Sequence, residues 1–192
     1  AGDPYSYASN NEALSVHLKS LNNHTPTSYA KPMASAASMT QTAQKEKPKS
    51  YPYDDQKLSH EVLAALISQD GLKNSHIRVS GYYGDILILG EVPNQEAVEL
   101  AQNIATSFQD VKSIQTALTI GENLPKSQRS EDSIKNTRVK SEIAKLDIPH
   151  SHLQVVTNNN QVFIVGPLNP ADKQQIQYQL ESLTYIDAVY FY

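Results

Sequence analysis

His150 and His152 form an H-x-H pair at the expected entrance of a strand. Alternate residues of a strand share a face, so two imidazoles in that pattern can ligate one transition metal. His60 and His76 are the other candidates for metal or acid–base work. The chain has no cysteine, however, and Asp147 is the only carboxylate close to the pair in sequence. No G-x-S-x-G, Walker loop, G-x-G-x-x-G or H-E-x-x-H is present. The reading is therefore a chain with no catalytic residues, no metal site and no cofactor: a binding or scaffolding protein, not an enzyme.

The elements that would position such residues are written twice. Ser75-His76-Ile77-Arg78-Val79 is answered by Ser151-His152-Leu153-Gln154-Val155. Asp85-Ile86-Leu87-Ile88-Leu89-Gly90 is answered by Gln161-Val162-Phe163-Ile164-Val165-Gly166. Both pairs lie 76 positions apart, and the same offset takes Leu58 to Ile134. Three segments with one offset indicate a tandem duplication. His76 and His152 are then equivalent, which suggests a shared structural role at the strand entrance.

In the first copy, Leu58, Val62, Leu63, Leu66 and Ile67 form a helical stripe with Asp54 or Asp55 as cap. Residues 76–83 and 85–92 are β-rich around Gly84. Pro93-Asn94 starts a second helix, and residues 111–120 form a strand. The second copy repeats this order. Its helix runs from about Asp132 to Leu146, and its strands lie near 152–157 and 161–168 around Asn158-Asn159-Asn160. A helix follows from Pro170 to Leu183, and a last strand covers 186–192. Each copy is αββαβ: a three-stranded mixed sheet with two helices on one face, so the fold class is α+β. The divisions are residues 1–53, 54–122 and 130–192, with 121–129 as linker.

Residues 1–53 are rich in Ser, Asn, Thr, Ala, Pro and Lys. Such a segment buries too little apolar surface to offset its chain entropy, so it reads as a disordered tether without tertiary contacts over 22–49. Leu14, Leu18 and Leu21 keep helical spacing and suggest one or two amphipathic turns. The chain opens on Ala1 without Met, which reads as a mature form whose leader was removed, or as a trimmed piece. No apolar run approaches the roughly 18 residues that span a bilayer.

The αββαβ order, with Gly90 and Gly166 closing apolar strands, resembles BON domains. Two copies after a flexible segment are similar to the dual-BON envelope proteins of Gram-negative bacteria. The resemblance covers about residues 55–192. It implies a periplasmic location, anchored to the outer membrane by a lipidated N-terminus outside this chain. It also implies support of envelope integrity. Two rival roles stay open: a structural subunit of an oligomeric or secretion-associated assembly, and a soluble stress chaperone. The same element order occurs in RNA-binding KH modules, but no GXXG loop joins two helices and the net charge is −4, so nucleic acid is not an expected partner.

Charge singles out one helix. Residues 54–122 carry ten acidic and four basic groups, and residues 147–192 four acidic and one basic. Residues 126–145 carry six basic and three acidic. With Val139, Ile143 and Leu146 as core, Ile134, Arg138 and Lys145 fall on one flank beside Lys135. An exposed Ile among basic groups suits an anionic membrane surface, each basic group adding on the order of 1 kcal/mol. The BON resemblance implies a phospholipid contact on this helix, with Ile134 where an aromatic residue is expected and Arg138 and Lys140 as basic partners. The expected lipid-facing set is Ile134, Lys135, Arg138, Lys140 and Lys145. The 11 Tyr residues are the other unusual feature. Tyr185, Tyr190 and Tyr192 offer a self-association edge along 188–192, or else a terminal strand packed in its own sheet.

Overall fold

Asp54 accepts the amide of Lys57 at 3.1 Å and caps α1 (Asp55–Ile67), which buries Leu58, Val62 and Leu66 at helical spacing. The computed structural model describes residues 27–30 and 54–192. A 3-10 turn at Asp70–Leu72 leads to β2 (His76–Tyr82) and β3 (Asp85–Val92), an antiparallel hairpin. Asn94 caps α2 (Gln95–Thr106) by accepting the Ala97 amide at 2.9 Å. This helix buries Ala97, Val98, Ala101 and Ala105, whose small side chains let it lie close to the sheet. Strand β4 (Ser113–Ile120) then pairs parallel with β3.

The order repeats with α3 (Lys126–Ala144), β5 (Gln154–Asn158), β6 (Gln161–Val165), α4 (Pro170–Leu180) and β7 (Ala188–Phe191). Strands β5 and β6 are antiparallel, and β6 and β7 parallel. The class is α+β with mixed sheets, as the patterning implied. One difference lies in the first sheet. Strand β1 (Thr27–Ala30), inside the segment expected to be free of contacts, pairs antiparallel with β4 and extends that sheet to four strands. The rest of residues 1–53, including the helical spacing at 14–21, lies outside the described residues.

Both helices of each half pack on one face of their sheet. Leu58, Val62, Val98 and Ala101 meet Ile86, Ile88, Ile114 and Leu118. Val139, Ile143, Ile176 and Leu180 meet Val162, Ile164, Val189 and Phe191. The other faces pack on each other: Tyr82, Leu87, Leu89 and Ala117 share a third core with Phe163, Val165, Ala188 and Tyr190. The result is four layers, helices–sheet–sheet–helices. Because successive strand residues point to opposite faces, β3 and β6 must be apolar at nearly every position. Tyr190 and Tyr192 stack on Phe163 at centroid distances of 5.4 and 6.5 Å, so these aromatics serve the contact between the halves.

The two hairpins turn through left-handed pairs, Tyr83-Gly84 and Asn159-Asn160, the pattern of a two-residue type I′ connection. Asn158, expected in the turn, ends β5 instead. A buried aspartate of the preceding helix holds each turn. Asp55 accepts the Tyr83 amide at 2.9 Å, and Asp132 accepts the amides of Asn159 and Asn160 at 2.8 and 3.1 Å. Asp55 and Asp132 are 77 positions apart, as are the buried pairs Val62/Val139 and Leu66/Ile143. The hairpin turns keep an offset of 76. The second half therefore carries one residue fewer between helix and strand, and the structural counterpart of Leu58 is Lys135, not Ile134. Asp132 is a core residue, and α3 starts six positions earlier, at Lys126 after Pro125. The polar stretch read as a linker hid that helical turn.

Candidate functional site

At about 100° per residue, Ile134, Arg138 and Lys145 fall within a narrow stripe of α3, opposite Val139 and Ile143. Ile134 is 72% exposed, one of three large exposed hydrophobics among the described residues, with Ile67 and Tyr178. Arg138 is exposed. Lys145 is exposed and bonds the Glu142 carboxylate at 2.9 Å. That bond, then a second from Gln179 at 2.7 Å, holds the Glu142 carboxyl below its ordinary value.

The other two expected residues lie elsewhere. Lys135 leans toward the second hairpin: Nζ donates to Asn160 Oδ1 at 2.7 Å, sits 3.8 Å from Glu131 and lies 5.5 Å over the Tyr185 ring. Lys140 is exposed but roughly 200° around the helix from Arg138. Three of the five basic and apolar residues thus share a face, and Lys135 and Lys140 do not join it. Tyr178 was not anticipated. It is 79% exposed on α4, the helix beside α3 in the same layer. Its place in a helix that also buries Ile176 and Leu180 was the available signal.

The histidine pair does not sit on a strand. His150 and His152 lie in the turn before β5, and His150 Nδ1 is 3.0 Å from the Ile148 carbonyl oxygen. Alternation on one face therefore does not apply to them. Among the described residues no three His, Cys, Asp or Glu side chains gather as metal ligands. His76 and His152 also differ. His76 Nδ1 lies 2.8 Å from Glu91 Oε1, whereas the residue 76 positions after Glu91 is Pro167. What the two positions share is backbone. A Cβ on Gly90 would collide with the His76 carbonyl, and one on Gly166 would crowd His152 and Leu153. Both glycines also have positive φ.

Sequence reading missed a polar cleft of about 270 Å³ between the halves. His76 and Arg78 of β2 form one wall, and Asn158 of β5 another. Arg129, Asp132, Ser133 and Asn136 of α3 form the third, one helical stripe. Glu91 is buried behind it and accepts from Asn158 at 2.7 Å and from the Leu124 amide at 3.2 Å. Arg78 donates to the Thr157 carbonyl at 3.3 Å. Burial lowers its guanidinium from the ordinary value, with the Asp132 and Glu91 carboxylates acting in the opposite direction.

Comparison with known proteins places this geometry. The BON domain family matches residues 54–122, the segment from the cap of α1 to the end of β4. A relative, the 21 kDa hemolysin of Actinobacillus pleuropneumoniae, is 33% identical over 120 residues, 62% of this chain and 62% of its own length. The outer membrane lipoprotein DolP of Haemophilus influenzae is 27% identical over 115 residues, 59% of this chain and 60% of its own. The match therefore spans less than two thirds of either relative. A solved structure, the C-terminal domain of CdsD, the structural protein of the type III secretion system of Chlamydia trachomatis, is 16% identical. It covers 72% of this chain and 64% of that one, at a TM-score of 0.30, too distant to carry any assignment.

Proposed function

We propose that this chain is a non-enzymatic envelope protein of the DolP-like kind, built from BON domains at 54–122 and 130–192. In this reading the second domain binds anionic phospholipid at the outer membrane and so supports envelope integrity. The BON match and the relative named an outer membrane lipoprotein support the location. The repeat of helix order, hairpin turn and aspartate clasp supports the second domain. The observation that carries the lipid contact is Ile134, 72% exposed on the outer face of α3 with Arg138 one turn away. An apolar side chain flanked by a cation gains from hydrocarbon and from negative headgroups together.

Flotation of the full chain with vesicles tests this. It should float with phosphatidylcholine vesicles containing phosphatidylglycerol and not with phosphatidylcholine alone. Ile134→Asp and Arg138→Glu should each reduce flotation, and equivalent reversals on α1, such as Lys57→Glu, should not. Wild-type flotation of both α3 variants would overturn the lipid reading and favour a scaffold role through self-association.

A further inference from the structure

We propose that the cleft between the two halves binds a phosphoryl group, through the guanidinium groups of Arg78 and Arg129. The argument is one of donors against acceptors. The acceptors around the cleft are engaged. Asp132 accepts from the amides of Asn159 and Asn160 and from Gln128. Glu91 is bonded to Asn158 and the Leu124 amide and lies against His76. The donors are in surplus. Arg78 has five N–H groups and among the described residues makes one long hydrogen bond, at 3.3 Å. It forms no ion pair with Asp132 or Glu91, although it is half-buried and both carboxylates act on it. Arg129 uses Nε on the Leu124 carbonyl, and its two terminal nitrogens make no hydrogen bond among the described residues. A half-buried guanidinium such as that of Arg78 is costly when its N–H groups lack acceptors, and two planar forks across a small cleft match the oxygens of a phosphoryl group.

The fold does not require this arginine. The equivalent strand position in the second half is Gln154, in a strand that pairs in the same way. A cleft of about 270 Å³ is below the range of drug-sized sites and suits a phosphoryl group carrying a few more polar atoms. Glycerol phosphate has that size. The group could be free in solution or belong to a lipid head, and the cleft stripe of α3 lies roughly 140° from Ile134. The site is thus separate from the proposed membrane face and does not depend on it.

Calorimetric titration of the full chain with inorganic phosphate and with glycerol phosphate tests the proposal, beside flotation with phosphatidylglycerol vesicles. Glycerol phosphate should bind, more weakly as salt rises. Arg78→Gln, which copies the second half, should weaken binding by about tenfold or more. Arg129→Gln, at an exposed position, should weaken it too and guards against a folding defect in the first variant. Calorimetric binding would assign the free compound. Flotation lost in Arg78→Gln but kept in Arg138→Glu, without calorimetric binding, would assign the lipid head. Absence of binding in both formats, or binding unchanged in both arginine variants, overturns the site. Loss of flotation confined to the Ile134 and Arg138 variants concerns the membrane face alone.

Discussion

Asn158 Nδ2 donates to Glu91 Oε2 at 2.7 Å, a buried bond between the two sheets across 67 residues of sequence. Glu91 also lies 2.8 Å from His76 and takes the Leu124 amide at 3.2 Å, so one carboxylate ties β2, the chain leading into α3, and β5. Leaving a buried donor unmatched costs about 1–3 kcal/mol. Glu91→Ala should therefore lower the unfolding free energy by roughly 3 kcal/mol or more, and Glu91→Gln by less, since it keeps one acceptor. Urea denaturation measures both. A Glu91→Ala protein within about 0.5 kcal/mol of wild type would mean the carboxylate does not join the halves.

Phe163 tests the apolar part of the same contact. It is 4% exposed and stacks with Tyr190 and Tyr192 across the face that meets Leu87 and Leu89. Phe163→Ala should cost about 3–5 kcal/mol. It should also split a single transition into two, because each helix-covered face keeps its own core. Tyrosine fluorescence and amide circular dichroism would then cease to coincide. Coincident transitions with an unchanged midpoint would show that the sheets do not stabilise each other.

Much of the α+β plan was legible in sequence because helical stripes and turn residues are local signals. The turns came from Gly84 and from Asn158-Asn159-Asn160, and the helix starts from Asp54 or Asp55 and from Pro93-Asn94. The packing of sheet on sheet was also written there, in the unbroken apolar runs of β3 and β6, and went unread: a sheet with a wet face alternates. The one-residue slip between helices was invisible because Ile134 and Leu58 are both apolar, so an ungapped offset looked correct. That slip decides the site. It puts Ile134 in solvent and Lys135 over the core edge. The cleft could not be foreseen, since Arg78 and Arg129 meet only through long-range packing.

Asp85 predicts a pH dependence with a definite sign. Burial raises its carboxyl above the ordinary value of 3.8, against the opposing effects of the Ser113 hydrogen bond and Lys112, with Asp55 adding to the rise. A raised folded value means the native state holds the proton more tightly. The group's contribution is most favourable below its unfolded value and is lost as pH rises through its folded value. Asp85→Asn keeps an acceptor for the Ser113 hydroxyl, now 2.6 Å away, and carries no charge. Its stability relative to wild type should therefore grow as pH rises from about 4, then level off. Denaturation midpoints across acid and neutral pH give the difference. A difference that shrinks with rising pH would contradict the assignment.

Lys135 and Arg138, three residues apart on one helix, should separate stability from membrane binding. Lys135 Nζ bonds Asn160 Oδ1 at 2.7 Å in the turn that Asp132 also clasps. Lys135→Glu would remove that donor and set a carboxylate beside the buried Asp132, costing roughly 1–3 kcal/mol. Arg138 is exposed, and its reversal adds only a like charge four residues before Glu142, worth a few tenths of a kcal/mol. Its effect should fall on anionic vesicles instead. Exchanging attraction for repulsion at about 1 kcal/mol per charge weakens binding by roughly tenfold or more at low salt. The loss should shrink as the screening length falls to about 8 Å near 0.15 M salt. Ile134→Asp removes an apolar contact as well, so part of its loss should persist at that salt. Thermal unfolding and flotation on the same three variants give both axes. If Lys135→Glu leaves stability intact and abolishes flotation like Arg138→Glu, then Lys135 belongs to the membrane face and its bond to the hairpin is incidental.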